Sequence, residues 1–488
     1  MNRDPDPHPP GTLETAVAAH LTVFIVGTSW AFGGNADWVR TPISAWGSLG
    51  MALALASIAV RGLRRRALPG TLPWAWPVVA LNAIVAASCL TPGFRSLVFR
   101  DEALIIPVRV DWWVPSATRA GLALRSLWLF DGIYFSCLNL ALFVRHRRVI
   151  RFVLAAACAN AVALAVFGTV QKLVGSTGIY FGSVRTPHEF FFASFVYDNH
   201  WGAFMILMLG ACIGLTIRYA PGARGEGFFH GPAFGGLVAA LLLAVSIPLS
   251  GSRACTVLLA ILLAVALARG VPRVAGALRL SGVTPAGTLA GMSLAALLAG
   301  AGAWMIAGDV IQARTAKTRD QIAAMWAHGG IGSRSVLYHD TWRMARERIV
   351  FGWGMGSYPV VISLYNSQES KIDRLPVIYH DAHSDWLQSV AELGLAGTAL
   401  IGAAVALPAL ALRRMRLPTV PYFLLTGCIL VAAYAWVEFP FGNVAVVLAW
   451  WLCFLGAVQY ARLSGPPAAA RNAPRAVSPA ARPAEITN

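Results

Sequence analysis

Residues 42–66 read PISAWGSLGMALALASIAVRGLRRR. From Pro42 to Val60 there is no charged side chain, and then Arg61, Arg64, Arg65 and Arg66 follow. An apolar run of this length, wound as a helix, is as long as the bilayer's hydrocarbon core is thick, which takes about 20 residues. Arginines crowded at one end, with no acid among them, mark that end as cytoplasmic. The stretch is therefore a membrane helix with a direction.

The same pattern recurs along the chain. Apolar segments lie at 15–32, 42–60, 73–90, 122–144, 152–171, 197–218, 232–249, 254–269, 286–307, 386–411, 420–438 and 443–461. The seventh and eighth are separated only by Ser250, Gly251, Ser252 and Arg253. With a cytoplasmic N-terminus, every even-numbered connection should be basic. Arg145, Arg147, Arg148 and Arg151 follow the fourth segment, and Arg218 and Arg224 the sixth. Arg269, Arg273 and Arg279 follow the eighth, and Arg413, Arg414 and Arg416 the tenth. The tail carries Arg462, Arg471, Arg475 and Arg482. The alternation holds throughout, so the expectation is an all-α polytopic membrane protein of about twelve transmembrane helices, with both termini cytoplasmic.

Composition agrees. Of 488 residues, 57% are hydrophobic and 12% charged, against about 25% charged in a soluble domain. The net charge of +17 would suggest nucleic acid in a soluble protein, but here it is spent on topology, which excludes that partner. Seven scattered cysteines show no zinc or iron–sulfur spacing and read as apolar fillers of helices.

The expected organisation is a cytoplasmic tail at 1–14, nine helices within 15–307, a large connection at 308–385, three helices within 386–461, and a disordered tail at 462–488 rich in Pro, Ala and Arg. The first apolar run reads as a retained signal-anchor. The connection at 91–121 holds Trp112 and Trp113, which suit a membrane interface. In the large connection, charges of both signs and helical periodicity at 309–327 and 335–350 predict a small folded unit, with turns at Gly352, Gly354 and Gly356.

A few residues on the face away from the cytoplasm are anomalous. Arg253 opens the eighth segment, against both the positive-inside bias and the helix dipole; a negative partner would resolve both. Arg185 sits in the short stretch Gly182–Pro187. Arginine forks suit phosphates, though a carboxylate or lipid headgroup would serve equally. The densest cluster is His380-Asp381-Ala382-His383-Ser384-Asp385-Trp386-Leu387-Gln388. His383 would stand near the first turn of the tenth segment, where the dipole favours neutral imidazole, able to accept a proton. Two other readings stand beside this: simple helix capping at the membrane edge, or a metal held by His380, Asp381, His383 and Asp385.

The stretch His383-Ser384-Asp385-Trp386-Leu387-Gln388-Ser389-Val390-Ala391-Glu392-Leu393-Gly394 resembles the signature of the O-antigen ligase and O-antigen polymerase family, in which a His, usually followed by Asn, opens a helix reading roughly H-N-x-x-L-x-x-x-x-E-x-G. Ser384 departs from that Asn. Gly332-Ser333-Arg334-Ser335 and Gly352-Trp353-Gly354-Met355-Gly356-Ser357-Tyr358 resemble the family's approach to the His. Ser250-Gly251-Ser252-Arg253 resembles its Ser-Arg element, and Phe195–Ala203, preceded by Arg185, its Asn-rich start of a membrane helix. The ordered set covers roughly residues 180–400.

The resemblance implies a GT-C-like glycosyltransferase of the bacterial inner membrane that uses neither metal nor other cofactor, with its active site periplasmic. The implied donor is a glycan on undecaprenyl pyrophosphate. The acceptor is a sugar hydroxyl of the lipid A core in a ligase, or another carrier-linked repeat in a polymerase. Carried over, His383 is the base or hydroxyl-positioning residue, and Arg253 and Arg185 hold the pyrophosphate. Arg334, Asn199 and His200 are substrate-binding candidates, each with a bracing role as the alternative. Outside the family, a twelve-helix transporter and a non-catalytic envelope scaffold are the competing classes; Asp131 is the doubtful ionisable residue deep in a span.

Overall fold

The computed structural model describes residues 9–99, 102–108, 110–186, 190–220, 231–279, 333–368, 378–413 and 415–465. Among these, ten helices are long and apolar enough to cross a membrane. In chain order the helices are α1 (Thr12–Trp30), α2 (Asp37–Leu63), α3 (Trp76–Leu90), α4 (Ala120–Phe143), α5 (Arg147–Leu173), α6 (Asp198–Tyr219), α7 (Pro232–Ser250) and α8 (Arg253–Arg279). After them come α9 (Ser333–Glu347), which is amphipathic and not a span, α10 (Asp385–Leu410), the shorter apolar α11 (Thr419–Tyr434) and α12 (Val444–Arg462). Every segment expected from the sequence has a helix except 286–307, which lies outside the described residues. So do 309–327, the rest of 308–332, and most of the two tails.

Burial sorts the helices into layers. The spans of α6 and α12 are 89% and 94% buried, so they form the centre of the bundle, while those of α2, α8 and α10 are 28% or less and present apolar side chains outward. Lipid offers no hydrophobic drive between helices, so close packing must hold them. Gly47 of α2 and Gly132 of α4 show how: a Cβ on Gly47 would come within 2.6 Å of the Gly132 Cα. Polar pairs add specificity. Asn82 of α3 donates to Asp131 of α4 at 3.0 Å, and His20 of α1 bonds Ser136 of α4 at 2.9 Å. Asp131 is thus a brace between two helices. All seven cysteines are free and all but Cys89 are buried, as fillers should be.

One part of the fold was not legible as helix or loop. Within 91–121, β1 (Phe94–Phe99) and β2 (Glu102–Pro107) pair antiparallel, from Phe94 opposite Pro107 to Phe99 opposite Glu102. These short apolar runs carry Val and Ile, which suit a strand, but are too short to show a period. Trp112 and Trp113 are both exposed just beyond, where an interfacial pair belongs.

The described part of the large connection is a folded unit seated on α10. Its α9 buries Leu337, Met344 and Ala345 with Trp353, Tyr358 and Val361. The chain after α9 then inserts into a break in α10. Gly394 has φ 64° and ψ −173°, which only glycine adopts readily. The break frees backbone groups that cannot go unpaired in a membrane. The inserted chain supplies their partners: Trp353 N–H donates to Ala391 O at 3.0 Å and Gly354 N–H to Glu392 O at 2.8 Å. In return Leu395 N–H donates to Ile349 O at 2.8 Å and Ala396 N–H to Val350 O at 3.0 Å. The Glu392 carboxylate completes the seam by accepting from Gly356 N–H at 2.8 Å and Tyr358 N–H at 3.0 Å. Arg348 fastens the unit to the hairpin side: it lies 3.9 Å over the Trp353 ring, bonds Ser116, and donates to Val108 O at 3.2 Å.

Candidate functional site

The helix α11 ends at Tyr434, four residues short of the apolar segment that contains it. The chain then turns across the end of the bundle and brings Glu438 beneath the start of α10. Glu438 is 2% exposed. A buried carboxylate needs several donors to be tolerated. It has them from three separate parts of the chain. Its Oε1 lies 2.6 Å from His383 Nδ1. Its Oε2 accepts from Arg334 Nη2 at 2.9 Å and from Asn199 Nδ2 at 3.0 Å.

Each partner is itself held. Ser252 Oγ donates to Asn199 Oδ1 at 2.5 Å, and Asn199 Nδ2 also donates to the Tyr197 hydroxyl at 2.9 Å. Arg334 donates to Val437 O at 3.1 Å. Burial lowers the Arg334 pKa and the adjacent Glu438 charge raises it, with a net rise, so the pair is charge-matched. His200 is buried behind this layer; its Nε2 is 3.1 Å from Phe439 O, and Phe439 meets the His383 ring edge-on at 4.8 Å.

The backbone at His383 is strained. Its φ is 51°, in the left-handed region that non-glycine residues enter at about 1–3 kcal/mol. The surroundings hold it there. Tyr338 donates its hydroxyl to His383 O at 2.8 Å. Ala382 N–H donates to Gln388 Oε1 at 3.0 Å. Asp385 N–H donates to Ala435 O at 2.9 Å, and the Asp385 carboxylate accepts Phe441 N–H at 2.8 Å. Ser384 is the N-cap of α10 and accepts Leu387 N–H at 3.4 Å. Serine and asparagine are comparable N-caps, so Ser384 fills the place of the usual Asn without loss.

In the neutral tautomer with the proton on Nδ1, His383 donates that N–H to the Glu438 carboxylate. The lone pair then belongs to Nε2. The His383 side chain is 27% exposed, so the ring is reachable from outside the bundle. This is a carboxylate–imidazole pair of the kind that orients a general base.

Residues 238–402 match the family model described as O-antigen ligase. That stretch is similar to the O-antigen ligase family. No curated protein matches the chain. The matched stretch contains Arg253, Arg334 and His383, but not Asn199 or Glu438.

The structure gathers the expected residues unequally. His383, Arg334 and Asn199 meet on Glu438. Arg253 is exposed and directly follows Ser252, which bonds Asn199, so it stands at the rim of the same network. His200 is buried and supports Phe439 from behind, as a brace. Arg185 is exposed, one residue past the turn closed by the Ile179–Val184 bridge, at the same end of the bundle but outside the network among the described residues. Of the metal-set alternative, Asp385 is turned inward to Phe441 N–H and His383 Nδ1 faces Glu438. Among the described residues no group of three His, Cys, Asp or Glu could hold a metal.

Glu438 and Tyr338 are the residues that sequence reasoning missed. Glu438 ends an apolar segment just ahead of Phe439-Pro440-Phe441-Gly442-Asn443. An acid at the end of a membrane span, two residues before a proline, was the available signal.

Proposed function

We propose that this membrane protein transfers a glycan from undecaprenyl pyrophosphate to a sugar hydroxyl of the lipid A core, at the periplasmic face of the bacterial inner membrane. The observation that carries the reading is the 2.6 Å contact between His383 Nδ1 and buried Glu438, with His383 Nε2 left for substrate.

The chemistry follows from what each group can do. The acceptor hydroxyl approaches Nε2 of neutral His383, which takes its proton as the oxygen bonds to the anomeric carbon. The bond from that carbon to the pyrophosphate oxygen breaks, and the carrier leaves as its pyrophosphate. General-base help of this sort contributes on the order of 10²–10⁴-fold. The other barrier is negative charge growing on the leaving group, and Arg253 and Arg185 are the exposed cations assigned to meet it. Direct displacement inverts the anomeric centre. Arg334 is committed to Glu438, so its role is to hold the acid rather than the donor.

The similarity to the O-antigen ligase family is equally compatible with a polymerase, in which the acceptor is a second carrier-linked glycan. The deciding experiment is transfer by purified protein from glycan on undecaprenyl pyrophosphate, with lipid A core present and EDTA throughout. A glycolipid of core plus glycan, made by wild type and lost in His383→Ala, supports the ligase. Lengthening of the carrier-linked glycan with the core untouched would establish the polymerase instead. Wild-type folded protein making neither product would overturn the proposal.

A further inference from the structure

Arg334 and Tyr338 are one helical turn apart on α9, so they share a face. That face meets the site at two points. Arg334 bonds the Glu438 carboxylate at 2.9 Å, and Tyr338 donates to the His383 carbonyl at 2.8 Å. The adjoining flank of that face is fixed by packing: Leu337, Thr341 and Met344 are buried, and Thr341 Oγ1 bonds the Tyr358 hydroxyl at 2.8 Å. The buried flank therefore sets the position of α9, and the neighbouring Arg334 and Tyr338 are committed to the His383–Glu438 pair.

His383 needs such a support. Its left-handed φ of 51° is unfavourable for a side chain of this shape, and the imidazole points at Glu438 only while that backbone is kept. The carbonyl of His383 precedes α10 and has no place in that helix's hydrogen-bond ladder. Tyr338 is the side chain that bonds it. Burial raises the Tyr338 pKa, and neighbouring Glu438 adds to the rise against the opposing effect of Arg334, so the hydroxyl stays a donor.

We propose that Tyr338 is a positioning residue: by bonding the His383 carbonyl it holds the left-handed backbone that aims the imidazole at Glu438 and frees Nε2 for the acceptor. The step beyond the geometry rests on the reading of His383 as the base. Tyr338 touches no substrate; it acts through His383. The inference also explains why the loop unit lies on α10: the base is assembled from a membrane helix, the turn before α12 and α9 together.

The test is Tyr338→Phe, which removes one oxygen and little else. Transfer from undecaprenyl pyrophosphate-linked glycan to lipid A core should show kcat lowered on the order of tenfold or more, with KM for both substrates within about twofold. A histidine Nδ1–H resonance far downfield, present in wild type and absent in His383→Ala, should weaken or vanish in Tyr338→Phe. Thr341→Val is the control: it also removes a buried hydroxyl from α9, but should leave both kcat and the resonance intact. Unchanged kcat and resonance in Tyr338→Phe would overturn the proposal, as would equal losses in Thr341→Val. If wild type transfers nothing, the functional reading fails by itself, and the resonance still decides whether Tyr338 aims the ring. If Tyr338→Phe folds poorly, Tyr338→Trp, which restores a donor on an aromatic ring, should recover the resonance; a stable Trp variant without it would also refute the idea.

Discussion

Glu438 Oε1 lies 2.6 Å from His383 Nδ1, although 55 residues separate the two along the chain. The contact joins the start of α10 to the turn before α12, and its other oxygen reaches α9 and α6. Three parts of the chain thus converge on one buried carboxylate that a fourth supplies.

Glu438→Gln keeps the shape and removes the charge. The new amide has one oxygen to offer, and three donors compete for it. If the oxygen goes to Arg334 and Asn199, the NH₂ faces His383 Nδ1 and forces the proton onto Nε2, where the base should have a lone pair. Loss of transfer on the order of 10²–10⁴-fold is expected, with little change in substrate KM. Product formation by the purified variant, with its thermal unfolding measured alongside, checks this; near-normal kcat would exclude Glu438 from the orienting role.

Arg334→Ala should do more damage to stability than Arg334→Lys. Removing one partner of a buried ion pair leaves an uncompensated charge and costs about 3–5 kcal/mol. Arg334 is partly exposed, so water enters and the cost should fall at or below the lower end. Lysine keeps the charge but loses the fork that serves Val437 O and Glu438 together. Thermal unfolding in one detergent should rank wild type above Lys above Ala.

Glu392 belongs to the signature stretch, yet its carboxylate caps two backbone N–H groups of the inserted chain. Glu392→Ala should cost about 1–3 kcal/mol for each donor left unpaired. The expected outcome is a lower unfolding midpoint and less folded protein, with KM for donor and acceptor unchanged in what remains. A selective rise in donor KM at wild-type stability would assign Glu392 to substrate.

Gly394→Ala is expected to be worse. A Cβ there would stand 2.2 Å from Val350 O, and φ 64° with ψ −173° is glycine territory. The inserted chain must withdraw or α10 must straighten, and either unseats α9 from His383. Failure to accumulate in membranes, while Gly402→Ala on the open face of the same helix accumulates normally, is the predicted pair of results.

Asn199→Asp would place a second acid beside Glu438 and lose the Nδ2 donor. Transfer should fall, and with Ser252→Ala, which removes a donor to Asn199 Oδ1 and an acceptor for Cys255 N–H but leaves Glu438 its partners, it should fall less. A reversed order in the same assay would move the functional weight from Asn199 to Ser252.

The sequence by itself determined where the apolar helices lie, to within several residues at their ends. Apolar length and the placing of arginine are local properties, and each of the expected spans within the described residues has its helix. It also singled out His383, Arg334 and Asn199, because polar residues stand out against an apolar chain. What it could not give was their meeting point. Glu438 looks like the frayed end of an apolar segment until the early end of α11 turns it inward, and His200 looks like a ligand until burial makes it a brace. The break in α10 was equally hidden, since Gly394 reads as a mild interruption of a helix. Only the inserted backbone of 349–354, arriving from outside the helix, supplies the partners that make the break stable in a membrane. Helix formation is decided within a few residues of each position. The charge state and aim of a buried imidazole are decided by whatever the rest of the chain packs against it.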